Sequence, residues 1–173
     1  PGVPLARVNT MWRWFAEGLK VCLLALCLAG VGVQAQSAQR AVWMWEEDSW
    51  AMLKSPAQAS DKIAFLKRQG IGVLYLYADA HAGENLLTGQ PQLYARLIEQ
   101  LHQEGLQVHA LLGSWPLHTE RYILSENRSK ALLMVQRVLE YNQQATPQAR
   151  FDGINLDIEP HVLDDWSSRR EEY

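Results

Sequence analysis

Apolar runs and amphipathic stretches alternate along residues 41–159. Four runs rich in Val, Ile, Leu and aromatic residues have the length of buried strands. They are AVWMWE (41–46), IGVLYLYAD (71–79), LQVHALLGS (106–114) and FDGINLDIE (151–159). Because helical patterns separate them, the order predicts repeating βα units with parallel strands and helices packed outside the sheet.

Capping signals bound the helices between these strands. The first helical stretch, SDKIAFLKRQG, has an N-cap candidate in Ser60 and ends at Gly70. The second, PQLYARLIEQLHQEG, starts at Pro91, a residue favoured in the first turn of a helix. A third helix is predicted over roughly 126–144. Its expected apolar face is formed by Leu132, Val135 and Leu139.

The faces of the strands distinguish two architectures. In a doubly wound open sheet the central strands are apolar on both faces, whereas barrel strands have an inner face that becomes polar near the mouth. Tyr77 and Asp79 share one face of the second strand, and the fourth strand is polar on one face only. We therefore favour an α/β fold, a (β/α)₈ TIM barrel, over the open sheet. No glycine-rich phosphate loop follows the first strand.

The expected barrel is incomplete in this sequence. An eightfold barrel needs about 250 residues, and residues 36–173 contain only the first four βα units. They are interpreted as the N-terminal half of a TIM-barrel catalytic domain, truncated at the C-terminus.

The first 35 residues have the pattern of a secretory signal peptide. Met11 is the expected start, Arg13 and Lys20 supply a basic segment, and an apolar run covers 21–33. Small residues follow, and cleavage is expected after Ala35. The run is shorter than the roughly 20 apolar residues of a membrane span. A secreted or periplasmic protein without stable membrane association is expected; the alternative is an uncleaved N-terminal anchor helix.

Cysteine usage and charge narrow the functional classes. The only two cysteines, Cys22 and Cys27, lie inside the predicted signal peptide, so residues 36–173 contain no disulfide and no cysteine metal site. Of the chain's 16 Lys and Arg and 19 Asp and Glu, three bases and one acid precede residue 36, which leaves a net charge of −5. Nucleic acid is not an expected partner, because phosphate binding requires a basic surface.

Asn155, Asp157 and Glu159 are the candidate catalytic residues. Alternate positions of a strand share a face and lie about 6.6–6.8 Å apart, with Glu159 nearest the mouth of the barrel. Two carboxylates in a confined site do not ionise independently. We expect one carboxyl with a raised pKa that can donate a proton and one that stays charged. The alternative is a pair of structural carboxylates that form salt bridges with basic residues elsewhere.

The nine residues FDGINLDIE resemble the active-site signature of the chitinase-like glycoside hydrolases of family 18. In that family the signature lies on the fourth strand of a (β/α)₈ barrel. The resemblance implies that Glu159 is the general acid, and that Asp157 orients the substrate's N-acetyl group and stabilises the oxazolinium intermediate of substrate-assisted, retaining catalysis. Asn155 stands where most of these enzymes have an aspartate that shares a proton with its neighbour.

Aromatic and polar residues near the predicted mouth are candidates for binding substrate. Trp43 and Trp45 share one face of the first strand, and Trp115 follows the third strand. Indole rings stack on sugars, although tryptophans are also ordinary core residues. Tyr77 and Asp79 lie on the polar face of the second strand and complete the set of expected binding residues.

Other polar residues near the predicted mouth are not expected to be catalytic or to bind substrate. The acidic segment 46–48 is expected to be a solvated edge at the end of the first strand. Three histidines that follow different strands could ligate a metal, although their spacing matches no compact ligand motif. They are His81, His118 and His161. No metal and no other cofactor is expected.

These patterns predict an exported glycoside hydrolase that cleaves O-glycosidic bonds of an oligosaccharide or polysaccharide, with N-acetylated glycans implied by the resemblance. One alternative is a barrel that binds glycans without cleaving them. The other, less favoured, is a metal-dependent hydrolase.

Overall fold

Strands and helices alternate along residues 39–172, the part of the chain that the computed structural model describes. All four strands pair in parallel in the order β1-β2-β3-β4. They are β1 (Arg40–Met44), β2 (Ile71–Tyr77), β3 (Gln107–Leu112) and β4 (Gly153–Leu156). The helices are α1 (Glu46–Lys54), α2 (Pro56–Arg68), α3 (Leu86–Gly89), α4 (Pro91–Gln103), α5 (Arg128–Gln144) and α6 (Trp166–Arg169). The predicted α/β class with consecutive parallel βα units is confirmed.

The predicted signal peptide, residues 1–35, lies outside the described residues. Within residues 39–172, no helix combines the length and the apolarity that crossing a membrane requires.

One face of the sheet packs against the helices and forms the core. Side chains of β2 and β3 on this face are fully or almost fully buried, and α4 contributes its own buried stripe. The strand residues are Leu74, Leu76, Val108, Ala110 and Leu112. The helix residues are Tyr94, Leu97, Ile98 and Leu101.

The opposite face of the sheet is aromatic and partly open. The parallel register places Trp43 beside Tyr75 and Tyr75 beside His109. Their rings touch edge to face, with centroid separations of 6.4 Å and 5.4 Å. Gly153 of β4 lies next in the row, and a Cβ atom there would lie 2.9 Å from the His109 ring. These residues form one row across the sheet from β1 to β4, and the glycine leaves room for the imidazole of His109.

Several element boundaries differ from the prediction. The fourth strand, predicted over 151–159, covers only Gly153–Leu156, so Asp157 and Glu159 lie beyond it. β1 ends at Met44, and Glu46 begins helix α1, which the apolar pattern did not reveal. Its three leading acids suit a helix N-terminus, where carboxylates interact favourably with free N–H groups. Helix α2 begins at Pro56, and the hydroxyl of Ser55 accepts a backbone N–H of its first turn, so the predicted N-cap, Ser60, lies inside the helix.

The predicted face of helix α5 was wrong at two of its three positions, since Val135 is half-buried and packs against the core. Leu132 and Leu139 are 64% and 50% exposed, while a different stripe meets the core, formed by Met134, Val138 and Tyr141. Both stripes have helical spacing, so periodicity alone could not show which one packs against the sheet.

Candidate functional site

An open cavity of about 550 Å³ lies at the carboxyl ends of the strands. Residues that follow each of the four strands line it, including 45–48 after β1, His81 after β2, 114–116 and 119–120 after β3, and Asp157 after β4. This edge of a parallel sheet is where α/β proteins commonly bind their ligands.

Asp157 and Glu159 both line this cavity, just beyond the last residue of β4. Asp157 is half-buried and Glu159 is exposed. Burial raises the pKa of Asp157 above its usual range, and the charges of Glu159 and Glu46 raise it further. The carboxyl with the raised pKa is therefore Asp157, while the resemblance assigned proton donation to Glu159.

The backbone of Asp157 is held by the segment that follows β3. Its N–H donates to the carbonyl of Leu112 at 2.7 Å, and its carbonyl oxygen lies 3.3 Å from the hydroxyl of Thr119. Gly113 has a φ of +105°, and a Cβ atom there would lie 2.4 Å from the Asp157 carbonyl oxygen. Only glycine combines this backbone conformation with so close an approach.

The same segment contains Trp115, whose indole lines the cavity. The Thr119 hydroxyl accepts the Ser114 N–H at 2.9 Å, which closes a short loop. His118, with a φ of 53°, completes the turn. Trp115 lies within this loop, lines the cavity and is 68% exposed. Trp45, 38% exposed, lines the cavity from the end of β1. Two apolar rings thus share one cavity with two carboxyl groups.

Four further carboxylates line the cavity: Glu46, Glu47, Asp48 and Glu120. Sequence reasoning placed the first three on a solvated edge and did not find Glu120. The position of Glu46 two residues after β1, at the same sheet edge as Glu159, is the signal that could have indicated it. The signal for Glu120 is absent from the sequence, because the folding of the loop after β3 decides its burial.

Tyr77 and Asp79 were expected to bind substrate, but neither lines the cavity. Tyr77 is fully buried, and its hydroxyl donates to the Ala80 carbonyl at 2.7 Å. Asp79 is also buried, accepts the Ala80 N–H at 2.7 Å and lies 3.4 Å from a guanidinium nitrogen of Arg137. Burial raises the pKa of Asp79, although the Ala80 N–H and Arg137 lower it.

Trp43 and Asn155 also lie outside the lining of the cavity. Trp43 belongs to the open aromatic face of the sheet, and its ring touches Trp45 edge to face at 5.8 Å between centroids. Asn155 is half-buried beside Leu111 of β3, and its Oδ1 has no hydrogen-bond partner. Of the eight predicted site residues, the structure brings four together in the cavity: Trp45, Trp115, Asp157 and Glu159.

The three histidines considered as metal ligands have different surroundings. His81 lines the cavity and packs edge to face on Trp50, with ring centroids 4.9 Å apart. His118 lies beside Glu120 at 3.4 Å, and His161 is exposed. Within residues 39–172, no three or more His, Cys, Asp or Glu side chains are grouped so as to hold a metal ion.

Comparisons with protein-family models, with curated proteins and with solved structures found no match. The chemistry of the cavity is therefore the basis for assigning a function.

Proposed function

We propose that the protein is an exported glycoside hydrolase that cleaves O-glycosidic bonds in this cavity. One observation carries the proposal: Asp157 and Glu159 share the cavity with the exposed indoles of Trp45 and Trp115. A carboxyl pair supplies the acid and the stabilising charge that glycoside cleavage requires. Indole faces supply an apolar surface on which a sugar ring stacks. Export is proposed from the signal-like pattern of residues 1–35.

Glu159 acts as the general acid in this proposal. Its carboxyl is exposed and lines the cavity, where it can reach the glycosidic oxygen of a bound sugar. The proton passes to the glycosidic oxygen as the bond between that oxygen and the anomeric carbon breaks. A water oxygen later bonds to the anomeric carbon while a proton of that water returns to the carboxylate.

Asp157 is the electrostatic partner of Glu159. Its raised pKa keeps a proton in the pair over a wider pH range than two independent carboxyls would. With an N-acetylated substrate, a hydrogen bond from the acetamido N–H would favour the charged form. That charge would stabilise the positive oxazolinium formed when the acetamido oxygen attacks the anomeric carbon.

The four βα units are proposed to be half of a (β/α)₈ barrel. The strands follow one another in order, and their polar residues gather on one face. On that face Trp43 is exposed and the Oδ1 of Asn155 lacks a partner. Two exposed leucines, Leu139 of α5 and Leu156 of β4, are apolar surfaces of the kind that further units would cover.

A second candidate function is glycan binding without cleavage. Asn155 favours it, because an amide cannot take up or release the proton that an aspartate at this position would share with Asp157. The two candidates differ in whether a bond is broken, so turnover distinguishes them.

The test measures hydrolysis of N-acetylated and non-acetylated oligosaccharides by the purified wild type and by Glu159→Gln. We expect the variant to bind substrate but to lose about 10²–10⁴-fold in kcat, the usual contribution of a general acid. Glu140→Gln, on the exposed surface of α5, is the matched control and should retain wild-type kcat.

The remaining outcomes distinguish the alternatives. Binding of oligosaccharides by the wild type without measurable turnover would replace the hydrolase with a glycan-binding protein. Activity that EDTA removes and a divalent metal restores would contradict the proposed mechanism. Cleavage that ignores the acetamido group would retain the glycosidase but exclude substrate assistance.

A further inference from the structure

The cavity is strongly acidic. Six of the described residues that line it carry carboxyl groups, and none of the lining residues is a lysine or arginine. Asp48 pairs with Lys62 at 2.7 Å, and Glu120 lies 3.7 Å from the Arg121 Nε. The other four form no ion pair with any residue in 39–172: Glu46, Glu47, Asp157 and Glu159.

A buried, incompletely satisfied carboxylate adds an independent indication. The side chain of Glu120 lines the cavity, is only 8% exposed, and has an Oε2 without a hydrogen-bond partner. A buried acceptor of this kind costs free energy until a donor reaches it. Trp45 and Trp115 add exposed ring faces, which attract cations as well as sugars. The negative charge of the cavity, the Glu120 oxygen without a donor and the exposed indole rings all indicate a cationic ligand.

We propose that the glycan bound here carries free, protonated amines, as in an amino sugar that has lost its acetyl groups. This inference rests on the proposed function in taking the ligand to be a glycan. An ammonium group offers three N–H donors and a positive charge, whereas an acetamido group is neutral and offers one donor. A uronic acid would be repelled by the unpaired carboxylates.

The amine and the acetamido group have separate places in this proposal. The amines are recognised by carboxylates other than the two cleavage residues, namely Glu46, Glu47 and Glu120. An acetamido group at Asp157 remains compatible with cleavage. The preferred substrate is therefore a partly de-N-acetylated glycan.

The test measures binding by titration calorimetry to Glu159→Gln, which prevents turnover during the measurement. The probes are glucosamine oligomers of one length, either fully N-acetylated or partly de-N-acetylated, at low and at high salt. We expect the amine-bearing oligomer to bind about tenfold tighter at low salt, which corresponds to about 1.4 kcal/mol. The preference should shrink at high salt, because salt screens charges at an open cavity.

Two further variants test which carboxylates cause the preference for the amine-bearing oligomer. Glu46→Gln and Glu120→Gln, each combined with Glu159→Gln, should reduce the ratio of the two affinities severalfold, since each removes one charge from the cavity. Glu140→Gln in the same background should leave the ratio unchanged, because its carboxylate lies outside the cavity.

Equal affinity for the two oligomers, or a preference that neither salt nor Glu46→Gln and Glu120→Gln alters, would overturn the inference. Its failure is distinguishable from failure of the proposed function. Selective binding of the amine-bearing oligomer without turnover by the wild type would support the inference and refute the hydrolase. Turnover with no amine preference would do the reverse.

Discussion

The surroundings of Asp157 in the folded protein oppose its ionisation. Burial and the charges of Glu159 and Glu46 raise its pKa in the folded protein. In the unfolded chain an aspartate returns to a pKa of about 3.9. Because the folded state binds the proton more tightly, stability falls as pH rises from the unfolded pKa through the folded one. A carboxylate kept at a cost in stability is a common feature of functional sites.

We therefore expect Asp157→Asn to raise the free energy of unfolding at pH 7 while abolishing the proposed activity. The gain should be at most about 1 kcal/mol, since partial exposure screens the charge, and it should vanish at a pH below about 3.9, where the wild-type carboxyl is also protonated. Thermal melts at the two pH values measure it. Asp61→Asn, on the exposed side of α2, is the control and should change neither melt. A lower Tm for Asp157→Asn at pH 7 would contradict this account.

Gly113 positions Asp157 through its lack of a side chain. Gly113→Ala would place a Cβ atom 2.4 Å from the Asp157 carbonyl oxygen on a backbone with φ of +105°. We expect it to displace Asp157, to lower kcat at least about tenfold and to cost more than about 2 kcal/mol of stability.

Gly105→Ala separates strain from displacement. Gly105 has a similar φ of +81°, but no atom lies within 4 Å of a Cβ placed there. This control should cost only the conformational strain of about 1–2 kcal/mol and keep wild-type kcat. Equal activity of the two variants would show that the contact with Asp157 is unimportant.

At the scale of elements, the sequence predicted what repeats and missed what depends on tertiary contact. Period and capping signals were sufficient to find four strands and the longer helices. They did not distinguish a strand end from a helix start at Glu46, because three acids suit a polar edge and a first helical turn equally well. They indicated Ser60 as an N-cap, although Pro56, a residue favoured at the first helical position, marks the helix start after Ser55.

In the candidate site, too, the sequence pattern predicted some positions, while others depend on tertiary contacts. Asp157 and Glu159 lie at the cavity because they follow β4 at the carboxyl edge of the sheet. They lie beyond the strand itself, so alternation along the strand does not place them. Alternation does not fix depth, and Tyr77 is covered by the loop after β3, whose Ser114 Oγ lies 3.3 Å from the Tyr77 hydroxyl. The burial of Glu120 in that loop likewise depends on contacts between distant segments, which spacing along one chain does not encode.

At the scale of the whole molecule, the sheet has one covered face and one open face. The open face carries Trp43, and its Asn155 Oδ1 is buried without a partner. Sheets in α/β proteins bury both faces, whereas barrel strands place one face toward an interior filled by side chains from other strands. The proposed barrel would account for the open face and for the exposed leucines of α5 together, because a neighbouring βα unit would cover those leucines.

The barrel proposal can be tested at Leu139. This side chain is 50% exposed among the described residues, so on that basis Leu139→Ala should change stability by less than about 0.5 kcal/mol. A barrel that covers α5 requires a cost of about 2–5 kcal/mol instead, close to that of Met134→Ala, whose side chain is buried against the sheet. Denaturant unfolding of the purified full-length protein measures both variants. If Met134→Ala is strongly destabilised while Leu139→Ala unfolds like the wild type, the leucine face is open to solvent and the closed barrel is wrong.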